Sequence, residues 1–567
     1  MPYVRAIRWA SDRLGDSGII GFVTNAGFVE ANTADGLRQC LADEFSSLYI
    51  FHLRGNQRTS GETSRKEGGK IFGSGSRAPI AISLLVKNPE VSQHGAIHFH
   101  DIGDYLSRED KLQRISELGS VAGISAEQGW QVITPDEHGD WLKQRDNSVD
   151  SFIALGDKRD DSSITLFANY SAGVKTQRDA WCYNASKRQL ADNMARMIGF
   201  YNAEVQRFNQ GREDLSKQAR EAVLDSVINT DPSKISWTHN LKQELASNLQ
   251  QTFEHGALVT GVYRPFLKQW MYYNRRLNER VYQMPRIFPD DAAENRLIMI
   301  KQRWSGQGQL ALMVNCIPEL QTDGGTQCFP LYLYGDAPEA SEQPQQTGLF
   351  DAPSSPERQR RDAITDAGLA HFLAAYPGEQ ISKEDLFYYV YGLLHSPDYR
   401  ERYADNLAKE LPRIPAVKTA ADFWHFSRAG RALAELHLNY ETQPMYPATI
   451  EGNPKTADDY RVEKMKYGKK GKDKDLTVLH YNARITVRGI PLQAYDYVVN
   501  GKPALDWVVE RQCVKTDKAS GMLNDANDWA TETMDNPRYP LELFLRVITV
   551  SLETNRIVAN LPVLDID

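Results

Sequence analysis

The sequence predicts an α/β fold at the start of the chain and a mixed α+β fold over the rest of it. Two short apolar runs, residues 18–25 and 78–86, have the length and composition of strands that are buried on both faces of a sheet. Residues 4–14 and 33–45 carry apolar side chains at helical spacing. This alternation is typical of a doubly wound α/β domain, represented here by its last strands.

The elements of this first region follow in a regular order. A helix over residues 4–14 precedes the strand at 18–25, and Thr33 can cap a second helix that leads to a strand at 48–53. A loop rich in Gly, Ser and Arg then leads to the strand at 78–86. Because no crossover helix separates the strands at 48–53 and 78–86, we expect them to pair directly.

The chain changes character after residue 89, and we predict a domain boundary there, giving residues 1–89 and residues 90–567. The second region mixes aromatic-rich strands with helices such as 188–206, whose apolar side chains lie on one face. The polar, Pro-rich residues 337–361 predict a disordered insertion. Further expected elements are a helix opened by a capping box at Ser382 and Asp385, and strands at 476–487 and 495–499 before an Asn500-Gly501 turn.

Composition excludes several classes of protein. The chain has 25% charged and 41% hydrophobic residues, as globular proteins do. Its five cysteines are scattered without metal-binding or disulfide spacing, and His98 and His100 alternate with an apolar residue as in a strand. No apolar run approaches the ~18 residues of a membrane helix. We therefore expect a cytoplasmic protein with no membrane segment and no metal site.

Positive charge is concentrated locally, although the net charge of the chain is −8. Residues 54–88 contain seven bases against two acids, residues 261–303 contain nine against four, and residues 461–474 contain seven bases. Contact with DNA phosphates requires only such a concentrated patch. Solvated loops are the alternative for each window taken alone.

Two segments resemble parts of adenine-N6 DNA methyltransferases. Residues 21–28 (GFVTNAGF) are similar to the strand that follows the catalytic loop of those enzymes, and residues 71–82 (IFGSGSRAPIAI) are similar to a later motif with an aromatic before the last strand. In that family the aromatic stacks on the adenine that has swung out of the duplex. The resemblance implies this role for Phe72, and burial in the core is the alternative.

Longer segments resemble type ISP restriction-modification enzymes, in the order in which that family carries them. They are residues 5–13, 53–62, 68–77, 263–266, 273–280, 327–332 and 411–415. The family joins a nuclease, a helicase-like motor, a coupler, a methyltransferase and a target-recognition domain in one polypeptide. The resemblance implies that residues 1–89 end a class I (Rossmann-like) methyltransferase domain and that residues 90–567 recognise the DNA target.

The catalytic motifs of that family are missing from this sequence. Neither its Asn-Pro-Pro-Tyr motif nor its glycine-rich S-adenosylmethionine loop occurs, and there is no GxxxxGK[ST] motor motif. The chain alone is therefore expected to be inactive and to bind no cofactor, whereas the full-length enzyme would use S-adenosylmethionine. The implied partners are double-stranded DNA and the upstream methyltransferase, helicase and nuclease domains, or a separate catalytic subunit.

We nominate bases from the three windows as DNA contacts, because Arg and Lys bind phosphates and Arg also reads guanine in the major groove. The nominated residues are Arg54, Arg58, Lys66, Lys70, Arg77, Arg264, Lys268, Arg275, Arg276, Lys469 and Lys470. Two other functions stay open. The chain could be a stand-alone, non-enzymatic specificity subunit that binds DNA, or a scaffold without a DNA role.

Overall fold

The computed structural model describes the whole chain except residues 1, 59–60, 74–75, 161, 291, 305, 307, 323, 336–358 and 567. The chain has a mixed α/β fold with several small sheets, and it divides into two compact units, Met1–Asn147 and Ser148–Asp567. Within the described ranges, no helix is both long enough and apolar enough to cross a membrane. The same residues contain no group of three or more His, Cys, Asp and Glu that could hold a metal ion.

The first unit alternates helices and strands as the sequence predicts. Its elements are α1 (Pro2–Ser11), β1 (Gly18–Asn25), α2 (Gly27–Glu30), α3 (Asp35–Glu44), β2 (Ser47–His52), α4 (Gly61–Glu67), β3 (Ile80–Lys87), β4 (Ala96–Asp101), α5 (Arg108–Leu118), α6 (Val121–Ala126) and β5 (Gln131–Ile133).

One sheet with the strand order β1-β3-β2-β4-β5 organises this unit. The strand β3 is antiparallel to both β1 and β2, so β1 and β2 are parallel to each other. The expected direct pairing of the two strands that flank the Gly-rich loop is thereby confirmed. The strand β4 then adds in parallel to β2, and β5 pairs with β4 in the antiparallel sense. The sheet thus continues beyond residue 89, and the predicted boundary lies inside the first compact unit.

The two faces of this sheet bury separate groups of apolar side chains. Leu48 and Ile50 of β2 pack in one cluster with Ile7 of α1 and Leu41 of α3. The side chain of Phe51 points to the opposite face, because successive residues of a strand alternate, and it packs with residues of α5 and α6.

A buried ion pair fastens the end of the first unit to α3. Arg38 is fully buried and its Nη2 donates to Asp140 Oδ1 at 2.7 Å. Its other nitrogens donate to the carbonyls of Gly139, Phe28 and Ala31 at 2.7, 3.1 and 2.8 Å. A buried guanidinium is tolerated only when it is paired and hydrogen-bonded in this way.

The second unit contains the remaining elements. These are β6 (Ile153–Ala154), β7 (Ser171–Ala172), α7 (Asp179–Cys182), β8 (Tyr183–Asn184), α8 (Lys187–Asn209), α9 (Lys217–Val227), α10 (His239–Ala246), β9 (Leu258–Arg264), β10 (Leu267–Tyr272), β11 (Leu297–Lys301), β12 (Ala311–Val314), β13 (Ile317–Pro318), β14 (Thr326–Pro330), β15 (Tyr332–Gly335), β16 (Gln359–Asp362), α11 (Asp366–Ala375), α12 (Lys383–Leu394), α13 (Pro397–Arg402), α14 (Ala404–Leu407), β17 (Arg413–Ile414), α15 (Ala420–Leu438), β18 (Thr449–Glu451), β19 (Lys466–Lys470), β20 (Asp473–His480), β21 (Thr486–Arg488), β22 (Val498–Val499), β23 (Lys502–Pro503), α16 (Ala504–Arg511), β24 (Val514–Thr516), β25 (Leu523–Asp525), α17 (Ala526–Asp528) and α18 (Tyr539–Ala559).

Three four-stranded sheets form part of this unit, with the strand orders β13-β9-β10-β8, β12-β11-β14-β7 and β18-β21-β20-β19. The helix predicted at 188–206 is confirmed as α8, and the capping box of Ser382 and Asp385 opens α12. The Asn500-Gly501 turn is also confirmed, because both residues have a positive φ, 51° and 70°, between the paired strands β22 and β23.

Three expectations for the second unit need correction. Residues 359–361 of the predicted insertion belong to β16, which pairs with β15, whereas residues 337–358 lie outside the described residues. The segment 476–487 forms parts of two strands, β20 and β21, with a turn between them. Residues 495–496 belong to a short 3-10 helix, so the strand predicted at 495–499 is only the two-residue strand β22, which begins at Val498.

Two helices cross at very close range in the core of the second unit. Every residue of α12 from Leu386 to Leu394 is buried. A Cβ atom at Gly392 would overlap the carbonyl of Phe426, and one at Gly430 of α15 would overlap the carbonyl of Tyr388. The two backbones can touch only because both positions lack a side chain.

We expect Gly430→Ala to destabilise the second unit. The added methyl forces α12 and α15 apart, and overpacking of this kind costs about 1–3 kcal/mol. Gly199→Ala is the matched control, because this helical glycine has open space around its Cβ position and alanine favours the helix by up to about 1 kcal/mol. Urea denaturation measures both effects, and equal stability of the two variants would contradict the close contact.

A buried histidine pair should make the second unit sensitive to acid. His395 is fully buried, and its Nδ1 lies 2.8 Å from the carbonyl of Tyr391. Burial lowers the pKa of His395 to about 4, and burial also lowers the pKa of the neighbouring His437. The unfolded chain binds these protons near the ordinary pKa of about 6.5, so the free energy of unfolding falls as the pH drops below that value.

We expect His395→Asn to reduce this acid sensitivity. The Asn amide can keep the bond to the Tyr391 carbonyl but does not titrate, so the loss of stability between about pH 7 and about pH 5 should shrink by roughly 1–2 kcal/mol. Denaturation curves at the two pH values measure the difference. Parallel losses in the parent and the variant would refute the assignment.

Candidate nucleic-acid interface

Phe72 lies in the loop between β2 and β3, and its ring is exposed. Its side chain is 47% exposed, whereas the preceding residue, Ile71, is 7% exposed and packs in the core beside Leu53. A Cβ at the following glycine, Gly73, would have no atom within 4 Å. Phe72 is therefore not a core residue, and its ring is available to a ligand.

The nominated bases around this loop differ in their surroundings. Arg54 has a positive φ of 55°, and its guanidinium forms ion pairs with Asp101 and Asp104, the first at 2.7 Å. Arg58, Lys66 and Arg77 are exposed, and Lys70 is half-buried. Arg77 also donates to the carbonyl of Gln57 at 2.8 Å.

Two nominated bases of the β9–β10 hairpin are held by carboxylates inside the second unit. Arg264 Nη1 lies 2.7 Å from Glu319 Oε2, and its guanidinium stacks 4.0 Å over the Tyr263 ring. Burial raises the pKa of Glu319 to about 7, and Arg264 opposes that shift. Lys268 Nζ lies 2.7 Å from Glu441 Oε2. Glu319 is buried and Glu441 is half-buried, and each base neutralises one of these acids.

Arg275 and Arg276, in contrast, are presented to solvent by a rigid turn. The side chain of Asn274 accepts hydrogen bonds from the backbone nitrogens of Arg276 and Leu277, at 2.9 and 3.1 Å. Asn278, fully buried, accepts in turn from the backbone nitrogen of Asn274.

The same turn borders a cleft of about 540 Å³ that is rich in arginine. Arg275 contributes to it together with Arg280 and Arg286, while the carboxylate of Glu279 is the acidic group in the lining. All three arginines are exposed. Arg280 and Arg286 belong to the basic window 261–303 but are not among the residues nominated from the sequence, because only the fold shows that they share a cleft with Arg275.

Lys469 and Lys470 lie at the tip of a two-stranded ribbon and not in an irregular loop. They end β19, and Lys469 pairs with Lys474 of β20 across a turn at Gly471, which has a φ of 66°. Their side chains are exposed. A ribbon of this size fits the major groove of B-form DNA.

Comparison with known proteins identifies the family. Residues 165–543 match the type ISP C-terminal specificity domain. The chain belongs to the type ISP restriction-modification enzymes. The family predicted from the sequence is thereby confirmed. No curated protein matches the chain significantly.

Three solved structures show the extent of this similarity. A nuclease-deletion mutant of the type ISP enzyme LlaGI, in complex with a DNA substrate mimic, is 41% identical with a TM-score of 0.84, and the match covers 100% of this chain and 41% of that one. The ATP-dependent type ISP enzyme LlaBIII bound to DNA is 36% identical with a TM-score of 0.83, and the match covers 100% of this chain and 34% of that one. The protein in a DrdV–DNA complex is 30% identical with a TM-score of 0.80, and the match covers 99% of this chain and 52% of that one. This type ISP chain thus spans about a third to a half of the length of those proteins.

We expect Phe72→Ala to leave the stability of the first unit almost unchanged. Substitutions at exposed positions usually alter the free energy of unfolding by about 0.5 kcal/mol. Ile71→Ala is the matched control, because removing a buried side chain of this size costs about 2–5 kcal/mol. Urea denaturation distinguishes the two, and a loss above about 3 kcal/mol for Phe72→Ala would show that the ring is part of the core.

Proposed function

We propose that this chain recognises the DNA target of a type ISP restriction-modification enzyme and completes the pocket for the adenine that the enzyme methylates. The observation that carries the proposal is the match of residues 165–543 to the specificity domain of that family. Similar proteins of 41% and 36% identity were solved with a DNA substrate mimic and with DNA. A chain that acts on bacterial DNA would work in the cytoplasm.

The arginine-rich cleft and the lysine ribbon are the DNA contacts that we favour in the second unit. Arg275 and Arg276 are exposed on a rigid turn, as are Lys469 and Lys470 on the ribbon. If Arg264 or Lys268 turned towards DNA, Glu319 or Glu441 would lose the cation that it pairs with, and removing the cation from a carboxylate of low exposure is costly. We therefore assign Arg264 and Lys268 a supporting role beneath the DNA-binding surface.

The first unit has features expected of the last part of a methyltransferase sheet. Its β3 strand lies between the parallel strands β1 and β2, without a crossover helix. On the other side, β1 pairs with no strand among the described residues, and its side chains Ile19 and Val23 are 67% and 56% exposed. An apolar, unpaired edge of this kind would accept the upstream strands of the methyltransferase domain.

Base flipping would give Phe72 its role. Extruding an adenine costs a few kcal/mol of pairing and stacking, and stacking on an exposed ring offsets part of that cost. Arg58, Lys66, Lys70 and Arg77, in the same connection between β2 and β3, would hold the flanking phosphates, while Arg54 is paired with two aspartates.

The residues of this chain do not fit S-adenosylmethionine, because its sequence contains neither the glycine-rich cofactor loop nor the Asn-Pro-Pro-Tyr motif. In the full-length enzyme, the cofactor would supply the methyl group and bind to the upstream half of the domain. A stand-alone specificity subunit that works with a separate catalytic subunit is the alternative. Finding the missing motifs encoded in frame upstream would exclude it.

We expect duplex DNA to bind the chain with an affinity that falls steeply with salt, because phosphate contacts release counterions. The double variant Arg275→Gln/Arg276→Gln should weaken binding and reduce the slope of log K against log salt by up to about 2, at ~0.9 per contact. Fluorescence anisotropy of a labelled duplex at several salt concentrations measures both quantities.

The matched control is Lys217→Gln/Arg556→Gln, which removes two exposed charges from α9 and α18. It should leave the slope unchanged. Equal weakening by the two double variants would reject Arg275 and Arg276 as the contacts, and an affinity that does not depend on salt would reject phosphate binding altogether.

A further inference from the structure

The backbone that leads to Phe72 is held from outside its own segment at almost every carbonyl. Backbone nitrogens donate to two of these carbonyls: Tyr105 N to Lys66 at 3.1 Å and Gly55 N to Glu67 at 3.1 Å. Lys111 Nζ donates to the carbonyls of Glu67 and Gly69, at 2.7 and 2.8 Å. Two further side chains donate to the loop: Gln57 Nε2 to the Gly68 carbonyl at 3.2 Å and Arg108 Nε to the Ile71 carbonyl at 2.8 Å. The end of α4 and the glycine-rich loop that follows it, residues 66–71, are thus fixed.

Lys111 makes two of these bonds from a buried position on α5. Its side chain has no exposed surface, and its ammonium bridges the carbonyls of Glu67 and Gly69. Burial lowers the pKa of Lys111 to about 8. A buried cation is costly unless it is well hydrogen-bonded, so a bridge between two carbonyls is the reason that this lysine is tolerated here.

The loop and the start of α5 also touch through their backbones. A Cβ at Gly68 would overlap the carbonyl of Leu106, and one at Gly69 would overlap the backbone nitrogen of Arg108. Gly69 N donates to the Leu106 carbonyl at 2.9 Å. The two segments therefore fit together only with glycine at both loop positions.

The first turn of α5 is itself fixed. Ser107 and Asp110 form a capping box, in which the side chain of each accepts a hydrogen bond from the backbone nitrogen of the other, at 3.1 and 2.9 Å. Arg108 and Lys111, which reach into the loop from this turn, thus start from a rigid support.

We propose that Lys111, assisted by Arg108, is a positioning residue that holds the Phe72 loop in the shape in which the ring receives the extruded adenine. The inference rests on the proposed function, because it presumes that Phe72 stacks on the base. Lys111 cannot reach DNA itself, since it is completely buried. Its substitution therefore separates positioning of the ring from phosphate binding.

The first experiment uses the 567-residue chain and measures amide hydrogen exchange. Lys111→Met keeps the length and the apolar stem of the side chain but removes the donor. Exchange in residues 64–73 should be about tenfold faster or more, which corresponds to the loss of one strong hydrogen bond. Gln113→Met, an exposed change on the same helix, is the control and should leave exchange unchanged. Unchanged exchange in Lys111→Met would overturn the proposal.

The second experiment uses the full-length type ISP enzyme that contains this chain, with 2-aminopurine at the target adenine. Lys111→Met should reduce the flipped-base fluorescence and lower kcat for methylation by about tenfold, while the Kd for the duplex stays within about twofold. Lys111→Arg should restore part of the fluorescence, because it can donate to the same carbonyls. A merely structural role would lower the melting temperature and leave the fluorescence of the folded enzyme intact.

Phe72→Ala in the same assay separates the two proposals. If Phe72→Ala lowers flipping and Lys111→Met loosens the loop without lowering it, the positioning role is wrong and the stacking role stands. If Phe72→Ala has no effect, the stacking role is wrong and the positioning role falls with it, while the exchange result still shows whether Lys111 holds the loop.

Discussion

The close crossing of α12 and α15 is the constraint on which the second unit depends. With glycine at positions 392 and 430, the two backbones touch and leave no side-chain layer between them. The remaining faces of α12 are consequently buried against other elements, and its tyrosines reach them with their hydroxyls. Tyr391 bonds to the backbone nitrogen of Met313 at 2.8 Å, and Tyr389 bonds to the carbonyl of Pro415 at 2.7 Å. Hydroxyl groups on the buried part of this helix thus fix the register of the strands and loops around it.

The second unit presents positive charge at particular places, although the chain as a whole is acidic. The net charge of −8 would repel DNA if it were spread evenly. Instead, Arg264 pairs with the buried Glu319 and Lys268 pairs with the half-buried Glu441. Arg275 and Arg276, in contrast, are held outward by a turn in which the buried Asn278 accepts a hydrogen bond from Asn274. The basic residues of the second unit thus divide into those paired with acids of low exposure and those exposed at the surface.

The sequence predicted the parts of the fold that depend on local pattern. Apolar runs identified β1, β2 and β3, and the missing crossover helix predicted that the last two pair. The extension of the sheet through β4 and β5 was not predicted, because strands joined to it after a composition change look like a new domain. The distribution of charge along the sequence identified the basic windows, but it could not show which of their residues form ion pairs with acids. Glu319 and Glu441 lie 55 and 173 residues from Arg264 and Lys268, and no local signal connects them. The role of Lys111 could not be predicted for a similar reason, because its loop partners precede it by more than 40 residues.

A ring that stacks on an extruded base must be exposed, although the backbone that carries it must be ordered. In the first unit these two properties belong to different residues: the backbone of residues 66–71 is held by hydrogen bonds, and the side chain of Phe72 is exposed. Stacking contributes about 1–3 kcal/mol, whereas ordering the backbone of one flexible residue costs about 1–2 kcal/mol. A loop that ordered several residues only on binding would therefore cancel the gain from the ring. Here the carbonyls up to Ile71 are already bound by donors from neighbouring segments, while Phe72 itself is half exposed. If Phe72 stacks on the adenine as proposed, the ordering cost of this backbone falls on folding and not on DNA binding, and most of the stacking energy would remain available to hold the adenine outside the helix.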